Sequence, residues 1–114
     1  MPKIFKILTR SLWEDAKHRG SFEGAPVDIA DGYIHFSTAV QVQETAAKHF
    51  AGQGDLLLAA FDSEVFGGKM KWEPSRGGAL FPHLYASLDP ACALWVEALP
   101  LGSDGLHVFP DLTK

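Results

Sequence analysis

Residues 3 to 9, Lys3-Ile4-Phe5-Lys6-Ile7-Leu8-Thr9, are apolar at most positions and carry lysines between them. Alternation sets Phe5, Ile7 and Thr9 on one face and Ile4, Lys6 and Leu8 on the other, which predicts a first β-strand. Ser11 and Glu14 have capping-box spacing and Gly20 follows the basic run Lys17-His18-Arg19, so a short helix is expected over about 12–19. Residues 20 to 32 are rich in glycine, with one proline and two aspartates, and read as a loop placed to cover something. Tyr33 to Phe36 is a second strand. Thr38 and Gln41 form a further capping box, Gly52 is a stop, and Ala39, Val42, Ala46 and Phe50 recur at helical spacing.

The second half of the chain is mostly strand-like. Asp55 and Asp62 bracket the apolar run Leu56 to Phe61, too short for a helix and suited to a strand buried on both faces. Phe66-Gly67-Gly68 is a turn, Lys69 to Glu73 alternates like a half-exposed strand, and Pro74 to Gly78 is an irregular loop. Leu80 to Tyr85 and Ala93 to Leu99 are further strands, and 100–114 is a polar tail with one short strand at Leu106 to Phe109. Two early helices and several late strands argue for an α+β fold on one core, a single domain over 1–114.

Composition narrows the class. Apolar residues make up 46% of the 114 positions, and ten basic against 14 acidic side chains leave a formal charge of −4. Such a chain holds a core without staples. One cysteine, Cys92, forms no internal disulfide and is expected as a small buried hydrophobe in a reducing, cytoplasmic setting. With its longest apolar run ending after six residues, neither a membrane span nor a secretory leader is expected. Scattered basic residues make nucleic acid an unexpected partner, although a local anion site is compatible with them.

Three stretches carry groups suited to chemistry. In Asp31-Gly32-Tyr33-Ile34-His35-Phe36-Ser37-Thr38, alternation aligns Tyr33, His35 and Ser37 beside a helix start, where free amides favour an anion. His35 is read either as a ligand to ribose or phosphate or as a packed histidine, with Thr38 a simple cap. Trp72-Glu73-Pro74-Ser75-Arg76-Gly77-Gly78 combines an acid, a hydroxyl, a guanidinium and glycines, which suits an anion-binding loop or a solvated turn. It lacks the Gly-Lys-Ser/Thr of an ATP-binding loop. In Phe81-Pro82-His83-Leu84-Tyr85, the residues Phe81, His83 and Tyr85 share a face. No histidine pair stands at i, i+4 with a cysteine to join it, so no metal is expected.

These pieces in order, with Ile4 to Thr9, Trp13, Gly20 to Phe22 and His49-Phe50, resemble the domain-of-unknown-function 952 family over about residues 3–99. That family is similar to a compact ADP-ribosyltransferase-like fold, a twisted, mostly antiparallel sheet with two helices. The His35–Ser37 strand resembles that of RNA 2′-phosphotransferases, which use NAD. The resemblance implies a cleft for NAD or a related nucleotide between the His35 strand and the Ser75-Arg76 loop, partly covered by residues 21–31. His35 and Glu73 would be catalytic, in transfer or hydrolysis of ADP-ribose. Lys6, Thr9, Ser37, Thr38, Ser75, Arg76, His83 and Tyr85 would hold the nucleotide. The alternatives are a non-catalytic module for a nucleotide, phosphate or small anion, and a protein-interaction domain anchored by Trp72, Phe81 and Tyr85.

Overall fold

The computed structural model describes residues 2–114, apart from the Arg76 side chain. The chain runs β1 (Lys3–Thr9), α1 (Arg10–Arg19), α2 (Pro26–Asp31), β2 (Ile34–His35), β3 (Ser37–Thr38), α3 (Val42–His49), β4 (Leu56–Asp62), β5 (Met70–Pro74), β6 (Leu80–Leu84) and β7 (Trp95–Leu99). Two sheets form: a four-stranded one in the order β3-β1-β4-β7 and a three-stranded one in the order β2-β6-β5. Every strand pair is antiparallel. The architecture is therefore α+β as expected, with two sheets where one was expected and three α-helices in place of two.

The centre of the larger sheet is buried on both faces, and the strand alternation explains how. Ile4 and Leu8 from β1 and Leu57, Ala59 and Phe61 from β4 pack with Trp13, Phe22, Ile34, Phe36 and Leu84 on one side. Phe5, Ile7, Leu56, Leu58 and Ala60 pack with Val42, Ala46 and Leu99 on the other. Burial of such side chains contributes about 1.5–3 kcal/mol each, so this double-sided packing is the main source of cohesion.

Residues 33–38 do not make one strand. Ile34 and His35 pair with Leu84 and His83 of β6, Phe36 donates its amide to Pro82 O at 3.0 Å, and Ser37 and Thr38 then pair with Phe5 and Ile4 of β1. The segment changes sheets within five residues. Because β3 covers only Ile4 and Phe5, the edge of β1 from Lys6 onward has no strand beside it.

Other local expectations shift for identifiable reasons. Helix α1 starts two residues early because Thr9, not Ser11, is the cap: its hydroxyl accepts from the Leu12 amide at 3.1 Å. Thr38 and Gln41 do bond each other reciprocally, but the helix that follows begins at Val42. The expected loop over 20–32 contains α2, with Pro26 at its first position and left-handed Gly32 at its end. No strand covers 106–109; Leu101 and His107 make an isolated bridge there. Cys92 lies exposed, not buried, at the end of a short 3₁₀ turn over Pro90–Cys92 that Asp89 caps by accepting from the Ala91 amide. Among the described residues, no helix is long and apolar enough to cross a membrane.

Candidate functional site

A cleft of about 570 Å³ opens along the uncovered edge of β1. Its walls come from β1 (Phe5 to Thr9), the start and end of α2 (Ala25 to Val27, Asp31), the sheet-switching segment (His35 to Ser37), the α3 region (Thr45, His49, Phe50) and the β5–β6 arm (Ser75, Phe81, His83). Ala25 to Val27 and Asp31 thus do border it, and His35 and Ser75 line the same hollow.

One wall is organised by Asp28, which sequence reading passed over. This carboxylate is fully buried and accepts from Lys6 Nζ at 2.9 and 3.1 Å, the Ala25 amide at 2.7 Å, the His35 amide at 3.1 Å and His35 Nδ1 at 2.6 Å. Burial pushes its carboxyl upward, but the His35 hydrogen bonds and the Lys6 charge outweigh that and hold it at about 2. An ionised carboxylate only accepts, so Nδ1 of His35 carries a proton. Nε2 of His35 meets a second carboxylate, Asp31 Oδ2, at 3.0 Å. Asp28 and Asp31 are three apart on α2, so one short helix presents both acids to one imidazole.

Lys6, expected to bind a pyrophosphate, has its three ammonium hydrogens engaged by Asp28 and by His35 O at 2.8 Å. Burial lowers its affinity for the proton, against the raising effect of Asp28. It borders the cleft as half of an internal ion pair, not as a free cation.

The second histidine is held differently. His83 is cross-strand from His35, with ring centroids 5.4 Å apart, and its Nδ1 lies 2.9 Å from Glu73 Oε1. The same oxygen accepts the Tyr85 hydroxyl at 2.7 Å. These bonds from Tyr85 and His83 hold the Glu73 carboxyl below its ordinary value and push the Tyr85 phenol up to about 12. Tyr33 packs in tilted contact with all three rings, its centroid 4.7 Å from His35, 4.2 Å from His83 and 5.2 Å from Tyr85. Burial, with the charges of Asp31 and Glu73, raises the Tyr33 phenol as well.

The expected site residues thus divide. His35, Lys6, Thr9, Ser37, Ser75 and His83 border the cleft. Thr9 is also the α1 cap, and Ser37 Oγ bonds Thr45 Oγ1 at 2.9 Å. Glu73, Thr38 and Tyr85 are not on its wall: Glu73 accepts from His83 and Tyr85, and Thr38 bonds Gln41. Arg76 sits in the turn beside Ser75, its side chain outside the described residues. The trio expected for a protein interface does not form one surface. Phe81 is buried, and β5–β6 register puts Trp72 with Pro82 on the face opposite His83 and Tyr85. Sequence reading gave no site role to Asp28, Asp31, Thr45, His49 or Phe50. Pro26 and Gly32 framing two aspartates was the available signal for the first two. Among the described residues, no group of three metal-ligating side chains converges.

Fold and site together define an α+β protein with an open cleft whose wall carries two carboxylate-held histidines. Residues 7–96 match the family described as "Protein of unknown function (DUF952)", and the chain belongs to that family. It is similar to the crystal structure of protein CC0527 from Caulobacter crescentus, at 50% identity over 93% of each chain with a TM-score of 0.90. The solution NMR structure of CC0527 gives 51% identity over 93% of this chain and 91% of that one, with a TM-score of 0.84. No curated protein matches the chain.

Proposed function

We propose that the cleft binds NAD or a related nucleotide and acts in an ADP-ribosyltransferase-like way, transferring or hydrolysing ADP-ribose. The observation that carries this reading is the placement of His35 and His83, each fixed at Nδ1 by a carboxylate, on the wall of one hollow with Ser75. The volume suits a small organic ligand. Phe5, Ile7, Leu8, Phe50 and Phe81 offer a flat base an apolar wall, while Ser37 and Ser75 offer hydroxyls to sugar and phosphate oxygens.

Departure of nicotinamide leaves positive charge on the ribose, so a carboxylate is needed beside that sugar. Asp31 meets this requirement better than Glu73, because Asp31 borders the cleft next to His35 and Glu73 does not. His35 positions Asp31 beside the ribose in this reading, and the Ser75-Arg76 turn receives phosphate. A second reading, a binding module without turnover, is favoured by one fact: Glu73, the acid first expected to act, is occupied by His83 and Tyr85.

Titration with NAD, ADP-ribose and inorganic phosphate, followed by amide shifts and thermal unfolding, tests the proposal. A ligand at a hundred times its Kd stabilises the fold by about 2.7 kcal/mol, and the amides of 34–38 and 75 should move. No response to any of the three at millimolar concentration overturns it.

A further inference from the structure

We infer that His83 is the general base of this cleft and that it deprotonates an O–H acceptor, either water or a hydroxyl of a second substrate. The inference rests on the nucleotide reading above and deepens it by naming the acceptor class and the group that activates it.

His83 is only 3% exposed, yet it borders the cleft. Glu73, which is off the cleft wall, takes the Nδ1 edge at 2.9 Å. A carboxylate accepts and does not donate, so the ring proton lies on Nδ1, and Nε2, at the other edge of a ring that borders the cleft, keeps its lone pair. No described group bonds that Nε2. Buried polar atoms are otherwise nearly always partnered, and the partner this one lacks is a donor. An oxyanion cannot supply that donor; a hydroxyl can.

His35 does not compete for the role. Its Nε2 already faces Asp31 at 3.0 Å, so a ligand hydroxyl would have to displace a carboxylate to reach it. The two histidines, cross-strand neighbours, therefore take different parts: His35 with Asp31 at the sugar, His83 at the incoming oxygen. The tilted contact of Tyr33 with His83 at 4.2 Å and the Glu73 bond at Nδ1, itself shared with Tyr85, hold the ring from two sides. A base held in this way needs no reorganisation when the proton moves.

The step balances without a further reagent. The bond from the anomeric carbon to the nicotinamide nitrogen breaks, and its electron pair leaves with nicotinamide. An acceptor oxygen lone pair forms the new bond to that carbon. The acceptor proton passes to His83 Nε2, Glu73 balances the resulting imidazolium, and solvent later takes the proton.

Three measurements on the full chain decide the matter. Long-range proton–nitrogen NMR of the free protein should find the His83 proton on Nδ1 and Nε2 bare; a proton on Nε2 overturns the inference without reference to NAD. Incubation with NAD should release nicotinamide. ADP-ribose formed in buffer alone identifies water as acceptor, whereas methyl ADP-riboside formed only with added methanol identifies a hydroxyl substrate; either outcome supports the inference. His83→Asn should lower kcat by about 10²–10⁴-fold, the usual worth of a general base, while NAD-induced amide shifts persist. Glu73→Gln, at a more exposed position, gives a second variant that should lower kcat by a smaller factor at unchanged NAD affinity. Turnover by folded His83→Asn within threefold of the parent overturns the inference. Binding of NAD without turnover sinks the inference alone, and failure of NAD to bind sinks the nucleotide reading with it.

Discussion

The two carboxylate–histidine pairs are built inside out relative to each other. In Asp28–His35 the carboxylate is fully buried and the imidazole is 30% exposed; in Glu73–His83 the imidazole is 3% exposed and the carboxylate 36%. A buried charge must be neutralised, and Lys6 with two amides does this for Asp28. An exposed carboxylate is solvated anyway, so Glu73 needs only Tyr85 and His83 around it. The first pair is therefore a structural joint that also orients a ring, and the second orients a ring with little at stake for the fold.

Substitutions that separate stability from site geometry sharpen this contrast. Asp28→Ala should have the largest effect, because it strands the buried Lys6 ammonium; breaking such a pair costs about 3–5 kcal/mol, measurable by urea unfolding. Gly24→Ala comes next. Gly24 has φ of 127°, and a Cβ there would stand 2.8 Å from Asp28 Cβ, so the start of α2 must shift. About 1–3 kcal/mol is expected, with amide changes centred on residues 25–35.

Acid should act on the first pair without mutation. The folded Asp28 carboxyl is held at about 2, below an unfolded value of about 3.9. Its contribution is then present above the unfolded value and is lost as pH falls through the folded one. Stability measured from pH 5 down to 2 should decline, and Asp28→Ala should flatten that decline. Tyr85→Phe ranks last. It removes one of two donors to an exposed carboxylate and should leave the melting temperature close to that of the parent. A large loss of stability in Tyr85→Phe, or none in Asp28→Ala, would invert the comparison.

Much of the fold was legible because its strands are apolar runs. β1, β4, β6 and β7 appear within a residue or two of where alternation and length place them. α2 was not legible, for a physical reason: its one buried residue is an aspartate, so no apolar stripe marks it. The same residue hid half of the candidate site, since a buried acid among glycines looks like a loop acid until Lys6 and His35 are seen around it. The splitting of 33–38 was hidden too, because alternation describes faces and not which sheet a residue joins. His35 and Ser75 could be placed at one hollow from motif order, but the absence of Glu73 and Tyr85 from its wall depends on strand register.

The short stretch that leaves one sheet at His35 and enters the other at Ser37 has a mechanical meaning. It acts as a shared seam, so neither sheet can peel away without tearing the stitches of its neighbour. Deuterium uptake at the Ile34 and Phe36 amides should then await rupture of the whole molecule, and a single residue inserted there should disrupt both halves together.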